Sequence, residues 1–379
     1  MIYLDNAATT QMSQLATQAL MDVSRECYGN ASSIYSCGRN AKRILEESRR
    51  IIAECIGAEP DEIYFTSGGT ESNNWIISQA YASEFEKIIT SKIEHHAILH
   101  PIKILENVGK RVEYLPVDNN CIISCDALQR ELSGECTFVS LMLQNNETGA
   151  IQQIKEFSNL VHKDNKNSFI HTDAVQAVGH YIIDVKELGV DALSASAHKF
   201  NGPKGVGFLY VKKGCKLVPY ISGGGQERGF RSGTENVAGI YAMAKALEEN
   251  VMHLNDFYSH IVMLEKLLFK ELDKYKINYS LNIDSDQRVK GIINISFAGM
   301  DGEGLLNVLD AKNICVSTGS ACNSKDKNRS HVLEAMGLDE EAIDSTIRIS
   351  IGRYNSEEDI KELVKTIARY EKLSLLVNE

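Results

Sequence analysis

Between residues 60 and 211, short runs rich in β-branched and aromatic residues alternate with longer stretches whose apolar positions recur at helical spacing. The runs are 63–66, 87–90, 112–116, 137–143, 169–171, 192–195 and 206–211; amphipathic segments such as 40–56 and 151–163 set the contrast. Seven strand candidates alternating with helices predict an α/β layered fold around a mainly parallel sheet. After about residue 240 the texture changes. The longest helical run, 237–275, is followed by strands near 291–297 and 314–317 and a closing amphipathic helix over 357–373, which predicts a smaller α+β domain. Open α/β sheets bind ligands at the carboxyl ends of their strands, so the residues just after each predicted strand are where chemistry is expected.

Length and composition narrow the classes without changing this outline. A chain of 379 residues suits one large domain with a smaller companion. With 43% hydrophobic and 24% charged residues, and no apolar stretch near the roughly 20 residues of a membrane span, a soluble protein is expected. The opening MIYLDNAATT has neither the basic start nor the apolar stretch of a secretory signal, so the cytoplasm is the expected location. Forty basic residues against 51 acidic ones give a net charge of -11, which argues against a broad nucleic-acid-binding surface. The nine cysteines are odd in number and contain no CxxC pair, so neither a disulfide framework nor an intrinsic metal site is expected.

Several clusters then carry candidate chemistry, each with a plain structural alternative. Residues 65–72, Phe-Thr-Ser-Gly-Gly-Thr-Glu-Ser, follow a strand and open a helix, which suits a phosphate or a simple turn. Ser196-Ala197-His198-Lys199 follows another strand; a lysine amine there could form a Schiff base with an aldehyde cofactor or be a solvated charge. Asp173 ends a strand and could face a pyridine nitrogen or cap a helix. In Glu94-His95-His96 an imidazole could stack on a planar ring and move protons, or be a satisfied structural residue. Asn145 and Asn146 suit a hydrogen bond to a ring hydroxyl or a turn. The glycine-rich stretch 222–234, with Arg228 and Arg231, suits a phosphate, a subunit contact or an unliganded loop. Cys322 lies among small polar residues and is followed by Lys325, Lys327 and Arg329, a setting for an activated thiolate or an incidental exposed thiol.

Taken in order, these motifs resemble the NifS/IscS group of cysteine desulfurases, in the class V branch of fold-type-I pyridoxal-phosphate enzymes. The resemblance runs from Tyr3-Leu4-Asp5-Asn6-Ala7-Ala8-Thr9-Thr10 through the clusters above and Arg231-Ser-Gly-Thr234 to Ser320-Ala-Cys322 and Thr346-Ile-Arg348-Ile-Ser-Ile-Gly-Arg353. It implies that Lys199 holds pyridoxal phosphate as a Schiff base, Asp173 pairs with the pyridine nitrogen, and His95 stacks on the ring as acid and base. Gln176 and Asn146 would contact the ring hydroxyl. Gly69, Thr70, Ser196 and His198 would hold the phosphate, joined by Thr234 from the second subunit of a homodimer. Arg348 would clamp the carboxylate of L-cysteine, with Asn30 near the entrance. Cys322 would take the sulfur as a persulfide, leaving L-alanine, and pass it to an iron–sulfur scaffold or a tRNA-thiolation enzyme; any iron–sulfur contact there is transient. The implied domains are 15–250, binding the cofactor, and 1–14 with 251–379, carrying the cysteine loop.

The chain departs from the family pattern in three places. Gly29-Asn30-Ala31-Ser32 lacks the proline that relatives often carry, Asp326-Lys327-Asn328-Arg329-Ser330 replaces their Leu-Glu-Pro-Ser, and a chain ending at Glu379 would lack the longer tail some use for docking. These leave the acceptor open. The alternative readings are a selenocysteine lyase or another class V lyase or aminotransferase, which need not depend on Cys322, and a non-catalytic sulfur-relay scaffold.

Overall fold

All seven predicted runs meet in one sheet, in the order Ile63–Thr66, Gly207–Val211, Ala192–Ser196, Phe169–Asp173, Thr137–Ser140, Lys87–Ser91 and Arg111–Leu115. The computed structural model describes residues 1–284, 286–318 and 329–377, with side chains through residue 372. Gly207–Val211 runs antiparallel to both neighbours, and the other pairings are parallel. Every strand except the edge strand Arg111–Leu115 is buried along its whole length. Burial on both faces is why these segments show no regular apolar–polar alternation, and why polar residues such as His171 and Ser194 are buried within them. Helices Gly69–Ala82, His96–Asn107 and Ile154–Asp164 make crossovers between strands. Six strands therefore share one direction, and their carboxyl ends share one edge of the sheet.

The second half builds on a three-stranded antiparallel sheet, Thr346–Ser350, Ile292–Phe297 and Tyr279–Leu281, while Ile2–Tyr3 pairs in parallel with Ile314–Cys315. The predicted helix over 237–275 is corrected to two, Val237–Met252 and Leu254–Tyr275, broken at His253. The break has a packing cause. Val237, Ile240, Met243 and Leu247 join the core under the large sheet, whereas Leu264, Leu268 and Leu272 join a separate core with the closing helix Glu357–Val377. Two apolar faces aimed at different cores need a change of direction between them.

The N-terminal segment links the same two cores. Leu4 belongs to the second and Ala16 to the first, so residues between them cross from one to the other. Asn6 fastens the crossing by donating to the Ser350 carbonyl at 2.8 Å, and Thr10 does so by donating to the His198 carbonyl at 2.8 Å. Among the described residues, no helix is long and apolar enough to cross a membrane.

Candidate active site

The carboxyl ends of five parallel strands open on a cleft of about 550 Å³. Gly69, Thr70, His95, Asn146, Asp173, Gln176, Ser196, His198, Lys199 and Arg348 all line it. Asn30 and Thr234 are exposed and lie outside that lining. Cys322 falls outside the described residues.

The glycine pair after Ile63–Thr66 makes one wall. Gly68 has φ 151°, a backbone that side chains rarely adopt, and a Cβ on Gly69 would stand 2.5 Å from Cγ2 of Val175. Both positions are closed to larger residues. Helix Gly69–Ala82 makes its first backbone bond from Ser72 N–H to the Gly68 carbonyl, so the N–H groups of Gly69 and Thr70 have no intrahelical acceptor and face the cleft end. Glu71 is committed elsewhere, to Ser67 N–H at 2.8 Å and to Arg231 at 2.7 and 3.0 Å. Arg228 is also occupied: it donates to the Ile63 carbonyl at 2.8 Å and stacks 4.0 Å over the Tyr64 ring. Both arginines of the 222–234 stretch thus serve internal contacts in the chain.

Lys199 reaches across the cleft from the turn after Ala192–Ser196. Its Nζ donates to the carbonyls of Ala7 at 2.6 Å and Ala8 at 2.8 Å, and Gln176 Nε2 donates to the same Ala7 carbonyl at 2.8 Å. Asp173 is held through both oxygens, by Asn73 Nδ2 at 2.6 Å and by Val175 N–H at 2.9 Å. His95 caps helix His96–Asn107, its Nδ1 accepting from Ala97 N–H at 3.0 Å, so the neutral ring carries its hydrogen on Nε2. Burial lowers the His95 pKa below the usual histidine range; Asp173 opposes this, and Lys199, His96 and His331 add to it. His198 is pushed down to about 4 by burial and by Lys199 and Lys204, and its Nδ1 lies 3.1 Å from Thr9 Oγ1. Asn73 and Lys204 also belong to the cleft and were not among the candidates drawn from the sequence. Asn73 was legible only by its spacing: it stands one helical turn after Gly69, on the same face.

Arg348 lies on strand Thr346–Ser350 of the second core and is 1% exposed. Its guanidinium donates to Asp5 Oδ1 at 2.6 Å and to the Asn146 carbonyl at 2.8 Å, which aims a planar cation into the cleft. Asn145 and Asn146 take different places. Asn145 Oδ1 accepts from Glu147 N–H at 2.9 Å and Thr148 N–H at 3.0 Å to make the turn, and Asn146 lines the cleft.

Glu94, beside His95, is wholly buried, with Oε1 accepting from Ser91 Oγ at 2.5 Å and Met142 N–H at 3.0 Å. Burial pushes its pKa up to about 8 against the pull of these bonds. The folded state then keeps a proton that an unfolded glutamate, with a pKa of about 4.3, gives up. Its contribution to stability is complete below the unfolded value and is lost as pH rises through the folded one. Glu94→Gln cannot ionise, so the parent's melting temperature is expected to fall relative to that of this variant between about pH 5 and about pH 8. A difference in melting temperature that stays flat over this range would contradict the assignment.

This geometry has known counterparts. The aminotransferase class V family model matches residues 2–363. A cysteine desulfurase IscS from Methanosarcina thermophila is 44% identical, over 97% of this chain and 91% of its own. Among solved structures, a NifS-like protein superposes with a TM-score of 0.92 at 36% identity, covering 98% of this chain and 99% of that one. SspA in complex with cysteine superposes at 0.82 and 31% identity, covering 94% of this chain and 100% of the other. With its strand-end cleft, its fold and nearly its whole length matched, the chain belongs to the aminotransferase class V family and, within it, to the cysteine desulfurases.

Proposed function

We propose that the protein uses pyridoxal phosphate to take the sulfur of L-cysteine onto Cys322, releasing L-alanine. The observation that carries this reading is the meeting of Lys199, Asp173, His95 and Arg348 in one cleft. The residues present fit the cofactor. An amine, a carboxylate and an imidazole share the cleft with a glycine cradle in which even a methyl group would collide with Val175. When bound, pyridoxal phosphate supplies an electron sink that eases loss of a proton from the α-carbon of an amino acid.

The chain's own groups divide the remaining work. Lys199 holds the cofactor through Nζ. Asp173 would pair with the ring nitrogen, and Gln176 and Asn146 would contact the ring hydroxyl. Gly69, Thr70, Ser196 and His198 hold the phosphate, with N–H groups at the start of helix Gly69–Ala82 as donors. His95 would stack on the ring and exchange protons at Nε2, because Nδ1 is engaged by Ala97 and burial favours the neutral ring. Arg348 binds the substrate carboxylate with its fork of donors, and Asn30 assists at the entrance. Cys322 attacks the substrate sulfur as a thiolate.

In the same reading the protein works as a homodimer in the cytoplasm, with Thr234 of one subunit completing the phosphate site of the other. The exposure of Thr234 supports this arrangement. The domains divide as 15–250 and 1–14 with 251–379, a division supported by the separate cores to which Ala16 and Leu4 belong. The persulfide passes to a sulfur-acceptor protein, an iron–sulfur scaffold or a tRNA-thiolation enzyme. Mass spectrometry of the holoenzyme after L-cysteine treatment tests the central step: Cys322 should gain one sulfur that candidate acceptors remove. Alanine release with Cys322 never modified would refute it.

A further inference from the structure

The chain on either side of the Cys322 segment is fastened to the substrate end of the cleft. On the N-terminal side, Ser317 exchanges both backbone hydrogen bonds with Arg348, at 2.6 and 3.1 Å. Its Oγ also donates at 3.4 Å to Asp5, the carboxylate that holds the Arg348 guanidinium. On the C-terminal side, Ser330 Oγ donates to Glu147 Oε2 at 2.5 Å. Glu147 is wholly buried and follows Asn146, whose carbonyl accepts from Arg348. Its backbone is fixed from two directions, by Asn145 Oδ1 at 2.9 Å and Asn294 Nδ2 at 3.2 Å.

A buried carboxyl group is costly unless its hydrogen bonds repay the loss of water. Glu147 does not line the cleft, so its side chain does not serve the substrate directly. Its described hydrogen bond runs to Ser330, two residues beyond the end of the undescribed segment 319–328. We propose that Glu147 is a positioning residue for Cys322, fixing the C-terminal root of the cysteine-bearing segment relative to Arg348 and therefore to the substrate. This inference rests on the reading of Cys322 as sulfur acceptor. In that step the Cys322 thiolate supplies the electron pair of a new sulfur–sulfur bond. The carbon–sulfur bond of cysteine breaks with its pair left on carbon, and that carbon takes a proton to give alanine. The attack depends on how the thiol approaches, so a loosened root slows it without changing cofactor or substrate binding.

Ser330 also caps helix His331–Ala335, its Oγ accepting from Leu333 N–H at 3.2 Å, and the test has to separate the two roles. Ser330→Asp keeps a capping oxygen but sets a second carboxyl against Glu147, whose pKa burial raises, so it is read on the alkaline side, where the pair cannot share a proton. Ser330→Ala removes both contacts, and Glu147→Gln combined with Ser330→Asp restores a donor from the opposite side. On the holoenzyme, rapid quenching of one turnover is expected to show persulfide forming on Cys322 roughly tenfold or more slowly in Ser330→Asp and in Ser330→Ala. The double variant should recover most of the rate. The cofactor absorbance and the cysteine concentration for half-saturation should match the parent in all three, which also shows that they fold. Parent-like persulfide formation in Ser330→Asp, or no recovery in the double variant, would overturn the inference. Cys322→Ser is measured beside them. If it releases alanine at the parent rate, the sulfur-acceptor reading fails and takes this inference with it. If it is inactive while Ser330→Asp matches the parent, only the positioning role of Glu147 fails.

Discussion

If Lys199 holds the cofactor as proposed, Lys199→Ala is expected to lower alanine and sulfide release by roughly 10³-fold or more, because it would remove both the attachment point and a group able to move protons. The variant also loses the amine that bonds to the carbonyls of Ala7 and Ala8. An unpaired carbonyl in such a place costs about 1–3 kcal/mol, so the alanine variant should be less stable as well as inactive. Lys199→Arg separates the two effects. A guanidinium can donate to both carbonyls, but it stays protonated and cannot serve as a nucleophile. The arginine variant is therefore expected to unfold in urea near the parent midpoint, to lack the absorbance of the lysine-bound cofactor, and to be as inactive as the alanine variant. Turnover above a tenth of the parent rate in Lys199→Arg would remove Lys199 from the chemistry.

The crossing segment that contains Ala7 and Ala8 also shows what the sequence conceals. The large sheet was legible because each of its strands is a short segment set between helical stretches, and the cleft because Ser67, His95, Asn146, Asp173 and Lys199 each follow such a segment. Arg348 gave no comparable local signal. Its place in the cleft depends on bonds to Asp5 and Asn146, 343 and 202 residues away in sequence, and so on how two cores pack together. The break at His253 escaped for the same reason: neither glycine nor proline marks it, and only the separate destinations of the two helices require it.

Local bonds and a place in the cleft do not exclude each other. Asp173 caps no helix, but it makes a local turn contact with Val175 N–H and it also lines the cleft. His95 is a satisfied helix cap at Nδ1 and a cleft residue as well. A polar side chain has more than one atom to commit, and capping with one atom orients the rest. The local bond that makes a residue look merely structural is therefore part of what prepares it for chemistry.

Asp173→Asn tests that argument where its consequence is largest. The substitution keeps the size of the side chain and an oxygen able to accept from Val175 N–H at the end of strand Phe169–Asp173. It replaces the oxygen that accepts from Asn73 with an amide, so that bond survives only if the Asn73 side chain turns over and its otherwise unpartnered Oδ1 accepts instead. Stability is expected to fall by no more than about 1–2 kcal/mol, the cost of one buried hydrogen bond. Turnover should fall much further, by roughly 10³-fold, because a neutral amide cannot offer the cationic form of a ring nitrogen the attraction of a carboxylate in a water-poor cleft. A residue that only capped the turn would show the opposite pattern, a small stability loss with near-parent alanine release at saturating cysteine. Asn73→Ala should fall between these limits: it leaves Asp173 its charge and its Val175 bond but removes the contact that fixes the carboxylate's orientation. If Asp173→Asn keeps more than about a tenth of parent turnover, against the 10³-fold loss expected from removing a preorganised charge, then the negative charge of Asp173 is not what the reaction uses.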